Sequence, residues 1–222
     1  MRFRWLFLFV VMVTVLQLLA QSAKADRDLR WEVSPFVGYE THGSYPIDFT
    51  SSNVNQVPPT VDRIQVDGGL SYGAMIDYAI NPNLQFEFIY ARNPTTYSQH
   101  DFTTDATTPI YDSTVNTFQW GALFQFRADQ KLRPYIAGGL GFVHEINSDL
   151  NPNRTAFAYN LGSGAKYFVN DHFGFRGDLR YLPTYGNSGE GVQCNYFGSC
   201  YTATIRNYEK RVNFAGGIIF RF

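Results

Sequence analysis

The sequence predicts an all-β fold, an eight-stranded antiparallel up-and-down transmembrane β-barrel, and three observations indicate it. Apolar and polar residues alternate with a period of two over most of the chain. The connectors between the alternating segments are long and short in turn. After the first 25 residues, no apolar run approaches the roughly 18 residues that a membrane-spanning helix needs.

The N-terminal segment has the features of an export signal. Arg2 and Arg4 precede an apolar core of 15 residues, and residues 23–25 fit a small-x-small cleavage site. This core is shorter than the ~20 residues of a transmembrane helix. A cleaved signal peptide over 1–25 is therefore favoured over a retained anchor, and 26–222 is predicted to form one outer-membrane barrel domain.

Eight segments carry the alternation, and each is predicted to be one spanning strand. They are residues 29–40, 64–80, 84–92, 115–127, 134–145, 156–169, 173–182 and 207–222. The short connectors contain turn-forming residues, whereas the long ones hold seven of the ten prolines, which cannot donate to a strand ladder. The long connectors are residues 41–63, 93–114, 146–155 and 183–206. Short turns at one end and long loops at the other are typical of a bacterial outer-membrane barrel, with both termini on the periplasmic side.

Side-chain volume decides which face of the barrel points outward. The apolar faces of the eight segments carry 22 aromatic residues. The interior of an eight-stranded barrel only just holds ordinary side chains, so these rings must lie outside. A soluble monomer rarely exposes so much contiguous apolar surface, whereas lipid accommodates it.

The opposite faces predict a charge-filled lumen. They carry 15 charged residues, against two, Arg92 and Lys210, on the apolar faces. Buried charges in so narrow a space must pair. The predicted lumen network consists of Arg30, Glu32, Asp67, Asp77, Glu87, Arg127, Lys166, Arg176, Asp178, Arg180, Glu209 and Arg211. Within it, the three charges of residues 176–180 are expected to meet Glu87, Lys166, Glu209 and Arg211.

Two cysteines, Cys194 and Cys200, lie six residues apart in a stretch rich in Gly, Ser and Asn. An exported chain enters an oxidising compartment, so a disulfide between them is favoured. A metal site is the alternative, but no histidine lies nearby and two thiolates are too few ligands.

No motif predicts an enzyme. His100 precedes Asp101 in a long connector and could be half of a hydrolytic site, and only His42 and His100 could meet. No Ser/His/acid constellation accompanies them, so we expect no catalytic residues, and an outer-membrane hydrolase is the least favoured function. Nucleotide loops, metal-ligand spacings and cofactor motifs are absent, so neither a cofactor nor a metal is expected. A net charge of -1 does not indicate nucleic-acid binding.

The chain also resembles a known family. Its last nine residues, Phe214-Ala215-Gly216-Gly217-Ile218-Ile219-Phe220-Arg221-Phe222, resemble the C-terminal assembly signal of bacterial outer-membrane proteins through Gly217, Phe220 and Phe222, although Ala215 stands where that pattern prefers a polar residue. Residues 31–39 resemble the first strand of OmpA-type eight-stranded barrels, and residues 133–141 resemble the fifth. The resemblance implies an outer-membrane location, delivery to the barrel assembly machinery through the C-terminal strand, and contact with outer-membrane lipid and lipopolysaccharide. OmpA has a further peptidoglycan-binding domain, and its activity is not expected of this chain.

Two functions remain open besides the hydrolase. The first is a structural or surface-interaction role, in which a plugged barrel displays four long extracellular loops that bind an extracellular ligand. The second is a narrow porin that conducts small solutes if the lumen charges do not all pair. The loops contain nine aromatic residues, a composition that fits recognition. We expect a monomer.

Overall fold

The computed structural model describes residues 30–50, 61–101, 103–147, 153–185, 189–194, 200–205 and 208–222. The strands within these ranges are β1 (Trp31–His42), β2 (Tyr45–Thr50), β3 (Val61–Val66), β4 (Gly69–Ala79), β5 (Leu84–Asp101), β6 (Ala106–Gln125), β7 (Leu132–Asn147), β8 (Arg154–Phe168), β9 (Phe173–Tyr181), β10 (Thr184–Tyr185), β11 (Gly189–Cys194), β12 (Cys200–Ile205), β13 (Tyr208–Glu209) and β14 (Arg211–Arg221). A helix with the length and apolarity to cross a bilayer does not occur in these ranges.

Eight of the strands form a closed antiparallel barrel. Their order around the barrel is β1, β4, β5, β6, β7, β8, β9 and β14, and β14 pairs back onto β1. Closure leaves no unpaired sheet edge, which is the condition for a sheet to cross hydrocarbon. The predicted fold class is therefore confirmed.

The strands are staggered as well as closed. When register partners are followed from Thr41 on β1 through β14, β9, β8, β7, β6, β5 and β4, the path returns to β1 at Trp31. The shift is ten residues, 41 minus 31. A stagger of this kind tilts the strands against the barrel axis and sets the width of the lumen.

Alternation along each strand separates a lipid face from a lumen face. On β9, Arg176, Asp178 and Arg180 are buried, whereas Phe175 and Leu179 are exposed. The same alternation leaves Leu161 on β8 65% exposed, a value that an apolar side chain reaches only when the outer surface faces lipid. The orientation inferred from volume and charge is thus the one that the fold adopts.

Some glycines allow close approach of neighbouring strands. A Cβ atom on Gly141 of β7 would collide with the carbonyl oxygen of Phe118 on β6. A Cβ on Gly177 of β9 would meet nothing within 4 Å. The backbone of β6 therefore leaves no room for a side chain at position 141.

The long connectors differ from the prediction because they continue the sheet. β5 and β6 pair as far as Asp101 and Ala106, with a bulge between Tyr97 and Ser98, and β3, β2, β12 and β11 follow in order beside β5. On the other side, β10 pairs with both β8 and β13. We call this extramembrane sheet the crown. These strands are rich in Thr, Pro and Gly, and they lack the apolar alternation by which the spanning strands are recognised.

Two predictions concern side chains or residues outside the described part of the chain. Cys194 and Cys200 are register partners in the β11–β12 hairpin, but their side chains lie outside the described residues, so the disulfide stays a prediction. The predicted signal peptide, residues 1–25, also lies outside the described residues.

Candidate functional site

The lower half of the lumen is crossed by a lysine. Lys166 extends inward from β8 and donates hydrogen bonds to Glu32 on β1 at 2.6 Å, Asp77 on β4 at 2.7 Å and Gln85 on β5 at 2.6 Å. In the barrel order β8 lies diametrically opposite β4. Since the Lys166 side chain and its two carboxylate partners are at most 1% exposed, the contact bridges the lumen from wall to wall without solvent.

Two arginines of β9 cross the lumen in the same layer. Arg176 donates to Asp77 at 2.9 Å, and Arg180 lies 2.8 Å from Glu87 on the diametrically opposite strand β5. Asp178 lies between the two arginines and accepts a hydrogen bond from Arg180 at 2.7 Å. With Arg221, whose Nε lies 3.5 Å from Glu32, four cations face four carboxylates, so this layer is electrically balanced.

Tyr135 of β7 completes the lower layer. Its hydroxyl donates to Asp178 and accepts a hydrogen bond from Arg176 at 3.0 Å. The guanidinium of Arg176 also lies 5.0 Å above the Tyr135 ring, within the range of a cation–π interaction. An aromatic ring inside the barrel therefore fills volume and helps to hold the charges.

A second charged layer lies nearer the crown. Arg211 on β14 donates to Glu40 on β1 at 2.7 Å and to Thr184 at 2.8 Å. His42 on β1 lies 2.7 Å from Glu209 through Nδ1 and 2.9 Å from the side-chain oxygen of Asn93 through Nε2.

The protonation of His42 follows from these contacts. The Asn93 amide group donates to the carbonyl oxygen of Leu70 at 3.0 Å, which directs its oxygen toward His42. Both ring nitrogens therefore face acceptors, and only the imidazolium donates to both. The upper layer consequently pairs Glu40 and Glu209 with two cations, Arg211 and His42.

Uncharged side chains separate the two layers. Gln119 accepts a hydrogen bond of 2.8 Å from the Asn160 amide group, and Arg180 donates to the other end of Asn160 at 3.2 Å. On the facing wall, Phe36 and Met75 belong to a buried apolar cluster. The described lumen is thus filled from the lower layer to the upper one.

The periplasmic end of the lumen is also occupied. Phe168 of β8 is buried, and two guanidinium groups lie over its ring, Arg133 at 4.5 Å and Arg221 at 5.4 Å from the centroid. Cation–π contacts of this kind hold the two arginines below the charged layers.

The structure places nine of the twelve predicted network residues in the lumen and three elsewhere. Arg30 is exposed at the periplasmic end, where it donates to the Tyr78 hydroxyl at 3.2 Å. Arg127 is exposed in the turn after β6 with a φ of 53°, and Asp67 is exposed between β3 and β4. Placing these three in the lumen was wrong, because all lie where regular alternation has ended.

The expected partners were also partly wrong. Only Glu87 joins residues 176–180 directly, while Lys166 binds Glu32 and Asp77. Glu209 and Arg211 belong to the separate upper layer. Sequence reasoning missed His42, Tyr135 and Gln85, since it considered only Asp, Glu, Lys and Arg on the polar faces. Inward parity on the predicted strands is the signal that could have found Tyr135 and Gln85, whereas His42 lies beyond the predicted end of the first strand, which the structure extends to this residue.

The two histidines that could have met lie in different parts of the protein. His42 contacts Glu209 and Asn93 within the upper layer. His100 lies in the crown, where its Nε2 is 3.1 Å from Asp105 and 3.3 Å from Arg63.

A closed antiparallel barrel with an apolar exterior and a charged interior defines a transmembrane β-barrel protein. The chain belongs to the outer membrane protein beta-barrel domain family, whose family model matches residues 10–198. The predicted location in the bacterial outer membrane is therefore confirmed. No curated protein sequence matches the chain significantly.

Solved outer-membrane barrels share the fold. OprG from Pseudomonas aeruginosa is similar with a TM-score of 0.62 and 13% identity, over 87% of this chain and 96% of that chain. AlkL gives 0.55 and 14%, over 90% and 94%, and Neisserial surface protein A gives 0.52 and 16%, over 86% and 97%. The predicted similarity to eight-stranded outer-membrane barrels is confirmed by these three structures, and at such low identity they establish the fold alone.

Proposed function

We propose that this protein is a non-conducting outer-membrane barrel that acts at the cell surface through its crown. The observation that carries the proposal is the pairing of diametrically opposite strands by buried charges, Lys166 with Asp77 and Arg180 with Glu87. Such contacts leave no continuous water path through the lower layer.

The energetics of the lumen support the same proposal. When a buried ion pair separates, each charge stays in a low-dielectric interior without its counter-charge. Loss of one partner from such a pair costs about 3–5 kcal/mol. A pore would require several such pairs to part at once. The open state would therefore be too rare to serve as a solute pathway.

The crown supplies the surface that such a barrel would present. At the tip of the β5–β6 hairpin, Asp105 is 95% exposed and its φ of 53° fixes a tight turn. Ile110 on the same hairpin is 46% exposed. An ordered sheet that displays acidic and apolar side chains outside the bilayer is a suitable platform for recognition.

Single-channel recording in planar bilayers tests the proposal. We expect the purified protein to give no conductance steps. A variant with Lys166→Ala, Glu87→Ala, Arg176→Ala and Arg180→Ala, which removes both contacts across the lower layer, should give steps and shows that the assay detects an open lumen. Discrete conductance steps from the unaltered protein would favour the narrow porin instead.

We also propose that the protein is not an enzyme. Both ring nitrogens of His42 are engaged inside the lumen, and His100 is paired in the crown with Asp105 and Arg63. Assays of peptide cleavage and of lipopolysaccharide deacylation should show no turnover, and activity that disappears in His100→Ala would contradict the proposal.

The C-terminal strand is proposed to carry the assembly signal through Gly217, Phe220 and Phe222. Phe220 is 46% and Phe222 is 60% exposed on the outer surface, so both rings are accessible to an assembly factor. Replacing Phe220 and Phe222 with Ala should reduce the amount of folded barrel in the outer membrane, measured by heat-modifiable gel migration. An unchanged amount would remove this assignment.

A further inference from the structure

A polar arc surrounds half of the barrel just above its apolar band. On β5 to β8 a row of outward aromatic residues, joined as register partners, consists of Tyr90, Phe118, Phe142 and Phe157. The next outward positions, one step toward the crown, are Arg92, Asn116, His144 and Thr155. Because the apolar band matches the hydrocarbon, these four side chains lie at the level of the outer-leaflet headgroups.

Hydrogen bonds link the arc to the aromatic row below and to the neighbouring strands. The Tyr90 hydroxyl donates to Asn116 at 3.2 Å, and Nδ1 of His144 lies 2.9 Å from the Thr155 hydroxyl. Nε2 of His144 forms no hydrogen bond within the described ranges. The imidazole is therefore held in place with one nitrogen left to bind a ligand.

Arg92 contributes a guanidinium group to the arc. Over the part of the chain that the structure describes, it has neither an ion pair nor a hydrogen bond, and it is exposed. At headgroup level, such a guanidinium can form strong charge-assisted hydrogen bonds with an anion of the surrounding lipid.

A groove lies directly above the arc. It has a volume of about 470 Å³ and is lined by outward residues of β5, β6 and β7, namely Pro94, Thr96, Asp112, Thr114 and Ile146. The Thr96 hydroxyl donates to Asp112 at 2.8 Å. Hydroxyl and carboxylate groups beside an apolar surface can hydrogen-bond a hydroxyl-bearing ligand, such as a saccharide, and fix its orientation.

Aromatic rings continue the surface below the arc. Phe118 stacks against Phe142 at 5.1 Å between centroids and contacts Tyr90 at the same distance, and Trp120 meets Phe142 edge-on at 5.9 Å. The outer wall of β5 to β7 therefore presents an apolar zone, a cationic zone and a hydroxyl-rich groove in order along the membrane normal.

We infer that this wall is a binding site for lipopolysaccharide of the outer leaflet. Acyl chains lie on the Phe118–Phe142 rings, a phosphate accepts hydrogen bonds from Arg92 and from Nε2 of His144, and a saccharide unit occupies the groove. Anionic phospholipid supplies only the first two groups, so the groove distinguishes lipopolysaccharide from it. The site faces the bilayer and is independent of whether the lumen conducts.

A binding titration in nanodiscs of neutral phospholipid tests the site. The protein carries Trp5→Phe and Trp31→Phe, so that Trp120, within the aromatic row, is the single tryptophan and serves as the fluorescent reporter. Purified rough lipopolysaccharide and phosphatidylglycerol are the two probes. We expect saturable binding of lipopolysaccharide, a loss of about tenfold in affinity for Arg92→Gln with His144→Gln, and a similar loss when Thr114→Phe fills the groove.

Lys210→Gln is the matched control. Lys210 is an exposed cation immediately before β14, which lies opposite β6 in the barrel order. Its variant should keep the affinity within about twofold, since Lys210 lies on the side of the barrel away from the groove. Equal weakening by Lys210→Gln, or no effect of Thr114→Phe, would reduce the site to general charge attraction and overturn the inference. Displacement of lipopolysaccharide by an equal amount of phosphatidylglycerol would overturn it as well.

Discussion

Lys166 and Asp77 stand on diametrically opposite strands of the barrel, yet Nζ of the lysine lies 2.7 Å from Oδ2 of the aspartate. The contact joins residues 89 positions apart in the chain. It ties β8 to β4 through the lumen, in addition to the backbone ladder around the wall. The interior is thus a cross-brace as well as a plug.

Removing the lysine of this brace should destabilise the barrel strongly. Lys166→Met takes the nearest cation away from Glu32 and Asp77, which keep Arg221 at 3.5 Å and Arg176 at 2.9 Å, and we expect the free energy of unfolding to fall by about 3 kcal/mol. Urea unfolding in lipid vesicles, followed by heat-modifiable migration, measures the change. Lys131→Met, at an exposed turn lysine, is the control and should stay within about 0.5 kcal/mol.

A compensated variant separates charge from shape. Lys166→Met combined with Glu32→Gln removes one cation and one carboxylate, so three cations face three carboxylates while most of the volume is kept, and the variant should recover most of the lost stability. If the double variant is as unstable as Lys166→Met alone, packing and not charge pairing accounts for the role of Lys166.

A similar prediction concerns His42 in the upper layer. His42→Leu leaves Glu209 in the upper layer without its imidazolium partner, and the free energy of unfolding should fall by about 3 kcal/mol. The same urea assay measures it. His172→Leu, in an exposed periplasmic turn, should have little effect, and a loss as large as that of His42→Leu would contradict the charge argument.

Two glycine substitutions test the close packing of the strands. Gly141→Ala directs a methyl group into the carbonyl oxygen of Phe118, so we expect a severe loss of folded protein on gels. Gly177→Ala, on an open outer position, should fold as the unaltered chain does. Equal yields of the two variants would show that β6 and β7 can separate at no cost.

An alkaline titration of Tyr111 tests how closely the crown is packed. Burial, and then the nearby carboxylate of Glu145, raises the pKa of Tyr111 to about 12, and burial raises the pKa of the stacked Tyr97 still further. Tyr111 therefore stabilises the fold fully below its unfolded pKa of about 10, and this contribution is lost as the pH rises from there through about 12.

Ultraviolet absorbance of tyrosinate measures this titration. The difference between the unaltered chain and Tyr111→Phe should titrate near pH 12. A difference that titrates near the ordinary value of about 10 would show that the crown is open around Tyr111.

The sequence predicted correctly whether a side chain points into the lumen or toward lipid, because successive residues of a strand point to opposite faces. The outward position of Phe175 and the inward position of Arg176 follow from alternation, because a strand has only two faces. The lipid-facing orientation followed in turn, since the aromatic rings could not be contained in so narrow a barrel.

The pairing of lumen charges could not be predicted in the same way. Which residues meet across the lumen depends on the stagger of the strands, and one residue of stagger would change the partners of Lys166. Arg127 shows a related limit, because parity does not say where a strand ends. The crown strands were not predicted, because their pairing involves backbone groups and their sequences have no apolar face. Thr107 and Thr108, which pair with β5, are an example.

The seam between β1 and β14 has a consequence for biogenesis. It is made of the first and last spanning strands, so the ring cannot shut until the ribosome has delivered residues 211–221. Until then an inserted sheet would have unpaired backbone N–H and C=O groups at its open edges in the hydrocarbon. We therefore expect the polypeptide to cross the cell envelope unfolded and to insert into the membrane only after its synthesis is complete.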